Sequence, residues 1–169
     1  LKQGKLMDEV AFQITIPEAR QLKEIASIVS KKRDFSEELL LEKLTNKTFI
    51  NAMRAKYADL LRNDIFGKNV NYALEGYLYA ATYPFYKKDP TLEQVLEPMI
   101  KKMNDEVEKY IPALQEKKMS VHQFVTMASL IEEEATDQAD REKISSVFYN
   151  RLDQNMPLQT DPTVLYALG

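Results

Sequence analysis

Three consecutive glutamates, Glu132, Glu133 and Glu134, have the residue type and the spacing that acid–base chemistry needs. Ser120, followed by Gln123, predicts a capping box that begins a helix at the next residue. Apolar residues recur upstream of the glutamates at helical spacing and define one face: Val121, Phe124, Val125, Ala128 and Ile131. The three carboxylates therefore fall in the last turns of this helix.

Two effects act on carboxyl groups at the C-terminal end of a helix. The helix dipole and the neighbouring like charges both disfavour the ionised form. A carboxyl group in this position that also turned toward a cleft would have a raised pKa, as a general acid requires. A solvated run of glutamates with no chemical role is the alternative, because perturbed carboxylates also occur at structural positions.

Helix geometry leaves open which of the glutamates would act. At 3.6 residues per turn, Glu132 and Glu134 lie at opposite borders of the apolar face, about 160° apart. Glu133 points away from that face, and periodicity alone puts Glu132 marginally nearer to it.

The rest of the composition excludes several reaction classes. The only histidine is His122 and there is no cysteine, which excludes Ser-His-Asp and Cys-His catalysis and a conventional zinc site. The four glycines lack the spacing of a phosphate-binding loop, so neither a metal nor a cofactor is expected. Carboxylate chemistry in a polar cleft remains, and cleavage of a glycosidic bond is a reaction that needs only this.

Length, composition and charge limit the number of domains and the classes of partner that this chain can have. The 169 residues, 44% hydrophobic and 29% charged, fit one globular domain or one domain with a small appendage. A net charge of −3 gives no electrostatic reason to expect nucleic acid as a partner. No apolar run reaches the length of a membrane span and no signal peptide is recognisable. Because the chain begins at Leu1, we interpret it as a fragment of a longer protein, whose membrane anchor would lie before it.

The remaining pattern is mainly helical. An alternating run over residues 11–16, closed by Pro17, predicts a strand, and Pro17 with Glu18 predicts the start of a helix. Further helices are predicted from Ser36 to Leu44 and over residues 47–61. A long helix is predicted to begin after Thr91 and to end at Pro112. The last two are predicted over 138–154, with Asp137 as the cap, and over 163–168, after Asp161-Pro162. The predicted fold class is therefore α+β and mainly α.

Residues 74–85 form the most aromatic segment of the chain and contain one acidic residue, Glu75. Aromatic residues most often belong to a hydrophobic core. Rings beside a carboxylate are also typical of sugar-binding clefts, because the CH faces of sugars pack on them. The sequence leaves both interpretations open.

Five blocks of the chain, in consistent order and spacing, carry a resemblance to a known family: residues 75–79, 128–135, 140–141, 146–152 and 158–166. The second reads Ala-Ser-Leu-Ile-Glu-Glu-Glu-Ala, and the last reads Leu-Gln-Thr-Asp-Pro-Thr-Val-Leu-Tyr. They resemble the endolytic murein transglycosylases, the YceG-like family. The last two blocks together are highly specific, and residues 70–169 are covered well.

The resemblance implies a domain organisation. Residues 34–169 would be a helical, lytic-transglycosylase-like catalytic domain that lacks its C-terminal third. Residues 1–33 would be the strand–helix tail of a LysM-like module. The chain departs from the family pattern at Ala19, where a glycine is usual, and at Ala80-Ala81, where Pro-Asp is usual.

The resemblance also implies an activity. Such enzymes cut the MurNAc–GlcNAc bond within nascent peptidoglycan strands without water and leave 1,6-anhydro-MurNAc ends. They are extracytoplasmic and anchored in the cell membrane by a single N-terminal helix, which this chain would lack. Peptidoglycan strands are the implied substrate, and peptidoglycan synthases are possible protein partners.

For the site, the resemblance gives Glu134 as the catalytic residue, since it directly precedes the small residue Ala135. The expected substrate-binding residues come from the matching blocks and the aromatic segment: Glu75, Tyr77, Tyr83, Asn150, Arg151, Gln159, Thr160 and Asp161. Alternatively, the polar residues of the last two blocks tie two helices together by capping and hydrogen bonds.

Two other functions compete with the transglycosylase. The first is a non-catalytic peptidoglycan-binding or scaffold module of the cell-wall machinery. The second is a muramidase that uses Glu134 and Glu75 as a pair of carboxylates, as most glycosidases do.

Overall fold

The computed structural model describes residues 9–135 and 138–168. The described helices are α1 (Leu22–Lys32), α2 (Glu37–Thr45), α3 (Lys47–Lys56), α4 (Leu92–Val107), α5 (Ile111–Glu116), α6 (Val121–Glu134), α7 (Gln138–Asp153) and α8 (Asp161–Leu168). The strands are β1 (Phe12–Thr15) and β2 (Thr82–Phe85), and short 3-10 turns cover Asn63–Phe66 and Glu108–Tyr110. The α+β, mainly helical fold class is confirmed, whereas the predicted cap Asp137 lies outside the described residues.

The two strands form a small antiparallel sheet, which joins the N-terminal segment to the aromatic segment in the middle of the chain. Ile14 pairs with Tyr83, and Phe12 stacks on Phe85 with 4.8 Å between ring centroids. The N–H of Ile16 extends the ladder by donating to the carbonyl of Ala81 at 2.9 Å. The sequence prediction of β1 is confirmed, but β2, inside the aromatic segment, was not predicted.

One hydrophobic cluster contains residues from before and after residue 33, the predicted domain boundary. It includes Ile14 and Val29 from the N-terminal part and Leu40, Leu96 and Met99 from α2 and α4, all fully buried. Buried residues that form one contiguous cluster usually belong to the core of a single domain. The division of the chain at residue 33 stays a prediction, and the packing across it is continuous.

Three predicted helix boundaries are wrong by more than two residues. Helix α3 ends at Lys56 rather than at residue 61. Helix α1 begins at Leu22 rather than at Pro17, because Ala19 has φ = 52° and this left-handed backbone interrupts the helix. Pro112 lies in the first turn of α5 and does not end the preceding helix, which stops at Val107. Proline suits a first turn because no intrahelical acceptor is available to an N–H there.

Helix α6 begins as predicted. The side chain of Ser120 accepts the N–H of Gln123, and the Gln123 side chain accepts the N–H of Ser120, which completes the capping box. Val121 and Val125 are buried, but Ala128 is exposed, so the predicted apolar face narrows toward the C-terminal half.

Helices α7 and α8 lie beside the main core. Phe148 of α7 is buried, whereas Val147 and Leu152 are exposed. On α8, Val164 and Leu165 are exposed as well. Among the described residues, no helix has the length and apolar character needed to cross a membrane.

Candidate active site

The three glutamates occupy the last turn of α6 and differ in exposure. Glu133 is exposed, whereas Glu132 and Glu134 are half-buried. The N–H of Ala135 donates to the carbonyl of Ile131 at 3.0 Å and closes the helix directly after Glu134. This arrangement matches the geometric expectation that Glu132 and Glu134 border the buried face.

Glu132 lies near the loop between β1 and α1, close to Glu18 and Ala19. Burial is the main cause that raises the pKa of Glu132, and the nearby Glu18 carboxylate adds to it. The guanidinium of Arg141, on α7, opposes both by favouring the ionised carboxylate.

Glu75 joins two elements that are distant in sequence. Its Oε1 accepts the N–H of Leu22 at 2.8 Å, at the start of α1, and its Oε2 accepts the Tyr166 hydroxyl at 3.1 Å, from α8. Burial raises the pKa of Glu75, and these two hydrogen bonds partly offset that effect because they stabilise the ionised form.

An open cleft of about 380 Å³ lies beside Glu75. It is lined by Gln21, Lys23, Asn71, Tyr72, Glu75, Tyr166 and Ala167. Of the predicted site residues that the structure describes, this cleft therefore includes Glu75 but not Glu134. Its lining combines two phenol rings, one cation and one carboxylate, which suits a polar ligand with both hydroxyl groups and apolar CH faces.

The next two predicted site residues, Tyr77 and Tyr83, lie in the core. Tyr77 is 0% exposed and its hydroxyl is 3.0 Å from Nδ1 of His122. Tyr83 is 7% exposed, and its hydroxyl donates to the carbonyl of Tyr79 at 2.6 Å. Because both rings are buried, contact of either with a ligand would require this segment to move.

The predicted site residues of the C-terminal motifs are either partly or fully buried, or exposed to solvent. Arg151 donates to the carbonyl of Leu158 and so ties the end of α7 to the loop before α8. Thr160 is 3% exposed, and its hydroxyl oxygen has no hydrogen-bond partner among the described residues. Three predicted site residues are exposed instead: Asn150, Gln159 and Asp161.

The structure does not join these residues to Glu134 directly. Within the described ranges, no hydrogen bond connects the Glu134 carboxylate with Asn150 or Gln159. Helices α6 and α8 are nevertheless in contact, and so are α6 and α7. The motif residues therefore belong to elements that pack on the helix carrying Glu134.

Comparison with known families agrees with the resemblance of the motifs. A family model described as the YceG-like family matches residues 1–169. The chain belongs to this family.

Individual members of the YceG-like family share long stretches with the chain. A Bacillus subtilis protein named endolytic murein transglycosylase is 52% identical over 159 residues, which are 94% of this chain and 44% of that protein. A Streptococcus pneumoniae protein of the same name is 38% identical over 168 residues, covering 96% and 30%. The chain therefore spans less than half the length of these curated relatives.

The fold of this family is also known from a crystal structure. A yceG-like protein from Listeria monocytogenes is 43% identical and superimposes with a TM-score of 0.89 over 93% of this chain. The match covers 52% of the Listeria chain. The arrangement of helices around Glu134 is thus shared with a YceG-like protein.

Sequence reasoning missed two spatial relationships in this YceG-like chain. Tyr166 lies in the same quoted block as Gln159, but it was not chosen as a site residue, although its hydroxyl binds Glu75. The proximity of Glu132 to Ala19 was missed too. The departure from glycine at position 19 was the signal that could have drawn attention to an unusual backbone there.

Proposed function

We propose that this chain carries the catalytic region of a lytic transglycosylase, which cuts the MurNAc–GlcNAc bond inside nascent peptidoglycan strands. The observation that carries the proposal is the position of Glu134. It is a half-buried carboxylate that ends α6, in a chain 52% identical to a curated endolytic murein transglycosylase. The exposed neighbour Glu133 has a side chain of the same type but lacks the partial burial.

In the first half of the reaction, Glu134 acts as a general acid. Its proton passes to the oxygen that links C1 of MurNAc to the next sugar, and the C1–O bond breaks. Positive charge then develops at C1 of the MurNAc ring, and the ionised carboxylate faces it.

In the second half, the same carboxylate acts as a general base. The 6-hydroxyl of MurNAc attacks C1 and forms the 1,6-anhydro bridge, and its proton returns to Glu134. No water is consumed, so a second carboxylate is not needed to activate one, unlike in hydrolytic glycosidases.

The proposed substrate contacts come from the segments around this helix. Glu75, in the cleft it shares with Tyr166, would bind sugar hydroxyl groups, since each carboxylate oxygen has a lone pair to spare. Tyr77 and Tyr83 would complete the aromatic wall after a movement of their segment. The polar motif residues would hold the strand on the other side: Asn150, Arg151, Gln159, Thr160 and Asp161.

The proposed setting follows from the substrate. Nascent peptidoglycan lies outside the cytoplasmic membrane, so the active region would be extracytoplasmic. We propose a single N-terminal membrane helix outside this sequence as its anchor, and peptidoglycan synthases as partners.

The mass of the products tests this function. Products of the intramolecular reaction are about 18 Da lighter than products of hydrolysis because no water is added, in contrast to the two-carboxylate route. Peptidoglycan strands digested with the protein should release fragments with anhydro ends, detected by mass spectrometry. Fragments with only hydrated reducing ends would instead support a muramidase that pairs Glu134 with Glu75, and binding without fragments would support a non-catalytic module.

A further inference from the structure

The cleft beside Glu75 is bounded by three segments that are distant in sequence. Its lining includes Lys23 from the start of α1, Tyr72 from the loop that leads to Glu75, and Tyr166 from α8. Its volume of about 380 Å³ lies at the lower end of the range of about 300–1,000 Å³ that is usual for ligand sites. The cleft therefore has the size for a ligand of one or two sugar rings.

The carboxylate of this cleft already has partners. Oε1 of Glu75 accepts the N–H of Leu22 at 2.8 Å, and Oε2 accepts the hydroxyl of Tyr166 at 3.1 Å. The fold holds both donors in place, since Leu22 is 1% exposed and Tyr166 is half-buried. Glu75 keeps lone pairs for the hydroxyl groups of a sugar, but it needs no cation to satisfy its charge.

Lys23 is the cation of the cleft, and it lacks a carboxylate partner. Its side chain is exposed, and none of the ion pairs in the part of the chain that the structure describes includes it. The next residue, Glu24, is engaged elsewhere: its Oε1 accepts from Arg20 and its Oε2 accepts the N–H of Gln21, both at 2.9 Å. The ammonium of Lys23 is thus available to an anionic group in the cleft.

The position of Lys23 is unfavourable for the helix itself. The N-terminal end of a helix carries partial positive charge, so a cation in the first turn of α1 opposes the helix dipole. Residues that break such a local rule are expected mainly at functional sites. Lys31, in the last turn of the same helix, follows the rule and is exposed as well, which makes it a matched control.

We propose that Lys23 binds a carboxylate carried by MurNAc and thereby lets the cleft distinguish MurNAc from GlcNAc. The inference rests on the proposed function, which makes peptidoglycan strands the ligand. MurNAc differs from GlcNAc by a lactyl group. Its carboxylate is free in strands without peptide stems, and in other strands it is amidated by a stem that carries carboxylates of its own. Either source presents the same group to the ammonium, while Glu75 accepts sugar hydroxyl groups.

The test measures the Kd of three disaccharides for the intact protein by NMR titration. They are GlcNAc–GlcNAc, GlcNAc–MurNAc with a free lactyl carboxylate, and GlcNAc–MurNAc with a peptide stem. None contains a MurNAc–GlcNAc bond, so the proposed reaction cuts none of them. At least one MurNAc ligand should bind about 3–5-fold more tightly than GlcNAc–GlcNAc, as expected for one exposed ion pair. Lys23→Gln should abolish this preference and Lys31→Gln should keep it. The MurNAc ligand that loses affinity in Lys23→Gln identifies the source of the carboxylate.

Stability separates a binding role from a structural one. In urea denaturation, Lys23→Gln should be at least as stable as the wild type, because it removes a charge that opposes the helix dipole. Equal Kd values for all three disaccharides in the wild type, or the same preference in Lys23→Gln as in Lys31→Gln, overturn the role of Lys23 alone. A wild-type protein that shows the preference but releases no anhydro-ended fragments from peptidoglycan supports the role of Lys23 and overturns the proposed reaction.

Discussion

Two residues with positive φ lie beside the glutamates that matter for the site. Gly76, next to Glu75, has φ = 80°, and a Cβ at this position would lie 3.0 Å from Cγ1 of Val125 on α6. The positive φ and the close approach of this segment to α6 therefore both favour glycine. Ala19, which lies near Glu132, has φ = 52° but is not a glycine. Its left-handed backbone is strained by roughly 1–2 kcal/mol for an L-residue.

Ala19→Gly should increase the free energy of unfolding by up to about 1 kcal/mol. Glycine relieves the strain at φ = 52° and keeps the N–H, although its larger unfolded-state entropy offsets part of the gain. Urea denaturation measures the change. The matched control is Ala52→Gly, at an exposed position inside α3, which should lose about 1 kcal/mol. Equal losses in the two variants would contradict the backbone assignment at Ala19.

At the scale of elements, Glu75 connects α1 with α8. Both of its carboxylate oxygens accept hydrogen bonds, from Leu22 and from Tyr166, although burial raises its pKa. The bonds favour the ionised carboxylate and the burial disfavours it. The raised pKa means that burial is the larger of the two effects, so ionisation of Glu75 weakens the fold.

This balance predicts how stability depends on pH. Because the pKa of Glu75 is higher in the folded than in the unfolded chain, the folded state binds the proton more tightly. The wild-type protein should therefore gain stability relative to Glu75→Gln as the pH falls through the folded pKa toward about 4.3, the unfolded value. The gain should disappear as the pH rises through the folded pKa. Urea denaturation of both proteins at several pH values measures this difference.

Tyr166→Phe supplies an internal check on the pKa of Glu75 and on the pH dependence of stability that it causes. The variant removes one donor to the ionised carboxylate, so the pKa of Glu75 should rise further and the pH dependence should begin at higher pH. A stability difference between wild type and Glu75→Gln that does not vary with pH, or that grows with the opposite sign, would contradict the assigned balance.

Across the whole molecule, sequence reasoning succeeded where local signals decide. The capping residues Ser36, Thr91 and Ser120 each precede a helix that begins where predicted. It failed where distant residues decide. Strand β2 exists because it pairs with β1, about 70 residues earlier, and no local pattern encodes that pairing.

The same limit applies to the site. The choice of Glu134 over Glu132 came from the resemblance, because periodicity places both at the border of one face. In the structure, Glu132 lies near Ala19, and Glu75 accepts hydrogen bonds from Leu22 and Tyr166. Each of these approaches joins residues more than 50 positions apart, so each depends on the complete fold.

Continuous packing across residue 33 predicts a single cooperative unfolding transition. Ile14, 0% exposed and opposite Tyr83, lies at the centre of this packing. Ile14→Ala should lower the stability of the whole chain by about 2–5 kcal/mol, since it opens a cavity in the shared core. Gln13→Ala, at the exposed neighbouring position, should change it little.

Two probes of the same denaturation distinguish the outcomes. Far-UV circular dichroism and tyrosine fluorescence should report coincident transitions in both variants, as expected for two-state unfolding. A separate early transition in Ile14→Ala, with the remaining helices as stable as in wild type, would favour an independent N-terminal module over residues 1–33.

The role of Glu134 is tested most directly by Glu134→Gln, which keeps the size of the side chain and removes its titratable proton. Loss of one acid–base group slows a reaction about 10²–10⁴-fold, and the upper end is expected here because the same carboxyl group acts twice. The measurement is the rate at which anhydro-ended fragments leave peptidoglycan strands, with Glu133→Gln as the exposed control. We predict that Glu134→Gln loses this activity while Glu133→Gln stays within a few-fold of wild type, both with unchanged folding. An active Glu134→Gln, alongside an inactive Glu132→Gln, would contradict the assignment and move the catalytic role two residues upstream.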